Sequence, residues 1–139
     1  MNLTKETELE VLKVYGTWLQ SYLNGDVEPY DSFLNDDYHF IGSTNNEEFL
    51  CKKETTIFFK ATADQLAGKT QPRNKTKIIE KFEESVFITH LFDTWFLNGS
   101  EWNYYGRFRF TNALKKNKKA WRFIYKKFSL SESKNELIT

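Results

Sequence analysis

Arg107 and Arg109 sit two positions apart in a run that reads as a β-strand, Trp102 to Leu114. Strand alternation puts Asn103, Tyr105 and Thr111 on the same side as both arginines, and Tyr104, Gly106, Phe108 and Phe110 on the other. A guanidinium is planar and offers two parallel N–H donors, so Arg109, helped by Arg107, suits a carboxylate or another small anion. In the next strand Trp121, Phe123, Tyr125 and Lys127 alternate onto one face. A hairpin that pairs Arg109 with Tyr125 would lay this set beside the arginines and add the charge of Lys127. The alternative is that the row forms the outer surface of the sheet, solvated or covered by a second chain. Both faces carry rings, so alternation alone leaves the choice open.

Proton-transfer chemistry would need an ionisable side chain aimed at a substrate, and the chain has only two histidines. His39 follows Asp37 by two positions, so both point to one side of a short strand. Asp37 suits capping or ion pairing at the strand's start. His90 lies mid-strand, and Asp93, three positions on, falls on the opposite face. A lone strand histidine is more often a packed, hydrogen-bonded residue than a base, so His39 enters as a pocket candidate. One cysteine, Cys51, and two histidines give no metal-ligand spacing, and no metal or cofactor is expected. No Gly-rich phosphate loop or nucleophile elbow is present.

The elements that must hold these residues can be traced along the chain. Apolar residues recur at helical spacing over residues 5 to 24, through Leu12, Tyr15, Leu19, Tyr22 and Leu23, with Val11 and Trp18 widening the stripe. Thr7 and Glu10 could form a capping box if this helix starts late. Asn24-Gly25 is a stop, and Asp26 caps a second helix whose buried face is Val27, Tyr30, Phe33 and Leu34. Tyr38 to Ile41 is a short strand. A third helix spans Lys53 to Leu66, with Ile57, Phe58, Ala61 and Leu66 inward, and ends at Gly68. Strands follow at Thr76–Glu83, Val86–Leu97, Trp102–Leu114 and Ala120–Leu130. Asn98-Gly99 marks a hairpin, and Lys115 to Lys119 a solvated turn. The expected fold class is α+β: three helices from the N-terminal half packed on one face of a curved antiparallel sheet. Residues 1–130 form a single domain and 131–139 a polar tail.

At 139 residues the chain can bury roughly two-thirds of its unfolded surface. Aromatic residues make up 17%, which requires a large interior or a lined cavity. Trp18 and Phe59 are candidates for such a lining as well as for the core. Twenty basic against 19 acidic residues leave +1, so no global field recruits nucleic acid. The charged first twenty residues exclude a signal peptide, and no apolar run reaches the ~18 residues of a membrane span. The lone cysteine fits a reducing, cytoplasmic location.

From about Leu9 to Ser129 the chain resembles the SnoaL-like branch of the nuclear transport factor 2 superfamily. The residues that carry the resemblance are the Gly25-Asp26 corner, Asp36-Asp37 with Gly42-Ser43, Gly106 with Arg109, and the closing Trp121 to Ser129 strand. The segment Phe59 to Lys69 is similar to SnoaL-like input domains of bacterial sensor histidine kinases. The resemblance implies a cone-shaped fold around a pocket. The association domain of calcium/calmodulin-dependent protein kinase is similar at Arg109, where its arginine contributes to a polar cavity, and at Trp121; it has histidines where this chain has Tyr125 and Lys127.

Ketosteroid isomerases share the fold implied. Their carboxylate base falls at Gly42 or Ser43, their helical tyrosine at Trp18 and their buried acid near Gly106. None of these side chains can do that chemistry. The expectation is therefore a non-catalytic, small-molecule-binding or sensory module, a homodimer, with no nucleic-acid or membrane partner. Its pocket candidates are Trp18, His39, Phe59, Tyr105, Arg107, Arg109, Tyr125 and Lys127, and its ligand a small organic molecule, a carboxylate being the favoured class. The alternative is an isomerase, or a polyketide cyclase-like enzyme, using an atypical set centred on His39 or Tyr105.

Overall fold

The computed structural model describes residues 3–43 and 47–131. The elements run α1 (Lys5–Asn24), α2 (Val27–Ser32), β1 (Leu34–Ile41), β2 (Glu48–Phe49), α3 (Lys52–Leu66), β3 (Thr70–Phe82), β4 (Ser85–Asn98), β5 (Glu101–Asn117) and β6 (Ala120–Ser131). They build a single six-stranded sheet in the order β2-β1-β6-β5-β4-β3. The sheet is not wholly antiparallel, because β1 runs parallel to β6. The third helix, α3, follows β1 and β2, in keeping with its expected place after the first short strand. Ser131 belongs to β6, and the remainder of the expected tail, 132–139, lies outside the described residues. No helix among the described residues is long and apolar enough to cross a membrane.

α1 starts earlier than a Thr7–Glu10 box would put it. Thr4 is the N-cap, and its hydroxyl accepts a hydrogen bond from the Thr7 backbone N–H at 3.1 Å. The helix closes at Gly25, whose φ of 73° only glycine adopts without cost. A β-carbon there would also stand 2.9 Å from both the Ala63 carbonyl oxygen and the Ala67 methyl. This glycine therefore ends α1 and lets α3 lie against its end. Asp26 occupies the N-cap of α2 as expected, although its side chain makes no capping bond.

The buried face of α3 differs from the sequence expectation. Thr55, Phe59 and Ala63, spaced by four, turn inward, whereas Ile57 is 60% exposed and Ala61 also faces solvent. Phe58 is partly exposed, at the edge of a cavity described below. The side chain of Leu66 lies outside the described residues. Within the core, Val11, Tyr15 and Trp18 of α1 meet Ile88, Phe110 and Phe123 of the sheet.

Two β-bulges determine what faces the helices. The first, between Thr94 and Trp95 of β4, leaves Tyr105 as the extra residue of β5. The second lies opposite Ala113–Leu114, where β6 skips from Tyr125 to Phe123 and leaves Ile124 over. A bulge moves the alternation by one residue, so side chains beyond it change face. Trp121 and Phe123 point inward, and after the bulge Lys126 does so instead of Tyr125 and Lys127.

Register follows the turn. The Lys-rich segment continues both strands, Asn117 pairs with Ala120, and only Lys118-Lys119 form the turn. The tighter turn and the extra residue Ile124 together pair Arg109 with Ser129, not Tyr125. Exposed lysines at the end of a sheet do not oppose strand pairing, so the hairpin tightened beyond the five-residue loop expected from their charge.

Candidate functional site

Between the sheet and the helices lie two adjoining cavities. A smaller one of about 190 Å³ is walled by Trp18 of α1, Tyr30 of α2, Phe59 of α3, Phe110 of β5 and Lys126 of β6. A larger one of about 780 Å³ extends toward the β4–β5 hairpin past Thr94, Phe96, Asn103 and Tyr105. Tyr22, Glu47 and Phe128 line both. Apolar walls with a few polar groups are the usual make-up of small-molecule sites.

Lys126 is the most unusual of those groups, being only 1% exposed. Its Nζ donates a hydrogen bond to Asn112 Oδ1, and the Asn112 amide in turn donates to the Ile88 carbonyl at 2.9 Å. The same nitrogen lies 3.4 Å from the centre of the Trp18 ring and 4.0 Å from that of Phe123. None of the ion pairs among the described residues includes it. Burial pushes its pKa well below the ordinary lysine range, since desolvation penalises the charged form.

Behind Lys126 stands a second buried pair. Tyr15 Oη lies 2.6 Å from His90 Nδ1. Burial raises the tyrosine's pKa, so its hydroxyl keeps the proton and donates it, which leaves the histidine's proton on Nε2. That Nε2 has no partner among the described residues. Burial first, and then the positive charges of Lys77, Lys75 and Lys126, hold His90 down to about 4.

Glu47 brings a carboxylate to the cavity wall. Its backbone carbonyl accepts from the Gly42 N–H at 2.6 Å, and a β-carbon on Gly42 would collide with its carboxylate oxygen. The carboxylate thus stands against the position at which the resemblance places a catalytic base. Gly42 and Ser43 carry no carboxylate of their own, and Glu47 brings one beside them. Tyr22, close by, is pushed up to about 12, by burial first and by the Glu47 charge second. Two of the lining residues, Trp18 and Thr94, bury a polar atom, Nε1 and Oγ1, that has no hydrogen-bond partner among the described residues. Among the described residues, no three His, Cys, Asp or Glu side chains stand close enough together to hold a metal ion.

A SnoaL-like domain model matches residues 11–131, nearly the whole of the described chain. The chain belongs to the SnoaL-like domain family. Solved structures agree on the fold. A Nostoc punctiforme protein of unknown function with a cystatin-like fold is 20% identical over 96% of this chain and 97% of its own, with a TM-score of 0.78. An NTF2-like protein of unknown function from Pseudomonas putida is 15% identical over 92% and 89%, at 0.80. An NTF2-like protein from Novosphingobium aromaticivorans is 9% identical over 96% and 90%, at 0.78. Identities this low establish the fold alone. Among curated proteins, no relative matches the chain.

In this SnoaL-like domain the eight candidate pocket residues divide between two places. Trp18 and Phe59 line the smaller cavity, and Tyr105 the larger. His39, Arg107, Arg109, Tyr125 and Lys127 lie on the sheet face away from the helices, which removes the arginine anion site from the pocket. Arg107 pairs there with Asp93 at 3.0 Å. The Asn74 amide, with Arg107, holds that carboxyl below its usual range. Lys126, Glu47, Tyr22 and Thr94 were missed. One signal could have found Lys126: Trp121 and Phe123 are odd-numbered and Phe128 and Leu130 even-numbered, so the apolar phase changes between them and a bulge must intervene.

Proposed function

We propose that this SnoaL-like domain is a small-molecule-binding module whose ligand has an apolar or aromatic body and a single polar head directed at Lys126. The observation that carries the reading is a buried lysine with, among the described residues, one hydrogen-bond acceptor and no ion-pair partner, set in the wall of an aromatic cavity. A body stacked among Phe110, Tyr22 and Phe128 could extend into the larger cavity. As an input module it would transmit occupancy through a homodimer formed on the face away from the helices.

Thermal-shift screening against aromatic and aliphatic acids, alcohols and carbonyl compounds tests the pocket. A binder present at a hundredfold its Kd should stabilise the fold by about 2.7 kcal/mol. Lys126→Met should weaken a hit at least tenfold and Arg109→Ala leave it unchanged. If no compound raises the melting temperature, the reading fails.

Glu47 favours a second reading, an isomerase or cyclase in which its carboxylate moves a proton between substrate atoms. Its position against Gly42 and on both cavity walls is the specific support. Glu47→Gln should then abolish turnover of any hit that is also converted, with binding retained. Hits bound but never converted by the wild type would remove this reading.

A further inference from the structure

The polar head that the cavity would hold can be narrowed to one chemical class. We propose that Lys126 captures an aldehyde or ketone on an apolar molecule as an imine. This rests on the cavity being a ligand site, as argued above.

The donors in the cavity discriminate between the classes. A carboxylate brings about four lone-pair sites and a charge that must all be satisfied when it leaves water. Near the head position the wall supplies the single amine of Lys126, and both guanidiniums proposed for an acid lie on the other face of the sheet. A carbonyl group carries no charge to satisfy and can be met by one amine. The amine itself is suitably held. Asn112 takes one of its hydrogens, rings face it on two sides, and no carboxylate fixes it as an ammonium ion. Desolvation, which lowers the amine's proton affinity, raises the fraction with a free electron pair.

The step balances without oxidant or reductant. The nitrogen lone pair attacks the carbonyl carbon and the C–N bond forms. The π pair moves to oxygen, which takes a proton while nitrogen loses one. The carbinolamine then expels water, and the second N–H proton departs as C=N forms. Glu47 lines the same cavity without pairing with the amine, and relays protons between nitrogen and oxygen through solvent. Water leaves through the adjoining larger cavity.

The test uses the full chain with trans-cinnamaldehyde at neutral pH, sodium cyanoborohydride as the trapping reagent, and peptide mapping by mass spectrometry. Lys126 should be labelled at least tenfold faster than the exposed neighbour Lys127, which serves as an internal control. Prior addition of cinnamyl alcohol, which fills the cavity without a carbonyl, should slow labelling of Lys126 and leave Lys127 unaffected. Lys126→Arg should lose the fast adduct; the wild-type competition stands without it if that variant does not fold. Labelling spread evenly over surface lysines overturns the proposal. If the aldehyde, the alcohol and trans-cinnamic acid, added separately, all raise the melting temperature but Lys126 stays unlabelled, imine capture fails and the binding module stands. If none of the three binds, neither labelling nor a shift appears and both fail together.

Discussion

Acidification from pH 7 to pH 4 will cost the fold about 3 kcal/mol through His90 alone. The histidine is fully buried and neutral, with its Nδ1 accepting from Tyr15 and three lysines adding to its reluctance to charge. Its pKa falls from 6.5 to about 4 on folding, so over that interval the unfolded chain binds a proton that the folded chain refuses. Stability therefore rises with pH; the contribution is complete above 6.5 and is lost as pH falls through 4. Asp93, whose carboxyl is also held down on folding, adds its loss as pH falls past the ordinary value of 3.8, so it scarcely contributes in that interval. Urea unfolding at pH 7, 5.5 and 4 measures the effect, and His90→Gln should flatten the curve. Parallel curves for wild type and variant would clear His90. On the alkaline side two effects oppose each other. Depression of the Lys126 pKa makes stability grow as pH climbs toward 10.5, while Tyr22, raised to about 12, withdraws stability once pH passes 10.

Asn112→Leu will destabilise the protein by about 2–5 kcal/mol, because it strips a buried amine of its acceptor and the Ile88 carbonyl of a donor. Leucine fills a similar volume, so the loss is electrostatic and not a cavity. Adding Lys126→Met should recover most of it, since replacing both members of a buried polar pair by apolar groups is often neutral or stabilising. A double-mutant cycle by chemical denaturation should give a coupling above about 1 kcal/mol. Additive losses would show that the two side chains do not depend on each other. Because Lys126→Met also removes the proposed ligand contact, a more stable double variant that binds nothing would separate what the lysine does for the fold from what it does for a ligand.

Much of the architecture could be read from residues that act locally. Periodicity located α1 to the residue, and Gly25 announced its end because a left-handed turn is a property of one position. The Asn98-Gly99 hairpin is legible for the same reason, with Gly99 at a φ of 66°. Errors arose where the decision belonged to partners distant in sequence. The inward face of α3 depends on which stripe meets β1 and α1, and Thr55 carries no apolar signature. The short β2 has too few residues to show a pattern. Of the site, Trp18, Phe59 and Tyr105 could be found because large rings in this fold have few places to go. Arg107, Arg109 and Lys127 were misassigned by one unseen bulge and a tighter turn. Glu47 is reachable only by knowing that the chain folds back on Gly42.

The extra residue Ile124 has an evolutionary consequence. Loss of that single codon would restore simple alternation and leave Lys126 opposite Asn112, because the residue removed is the one without a partner across the ladder. Every later side chain of the strand keeps its face, so one frame-preserving deletion can erase the bulge while the cavity wall stays as it is. Homologues that lack the extra residue, aligned here without a gap, will be credited with the wrong interior.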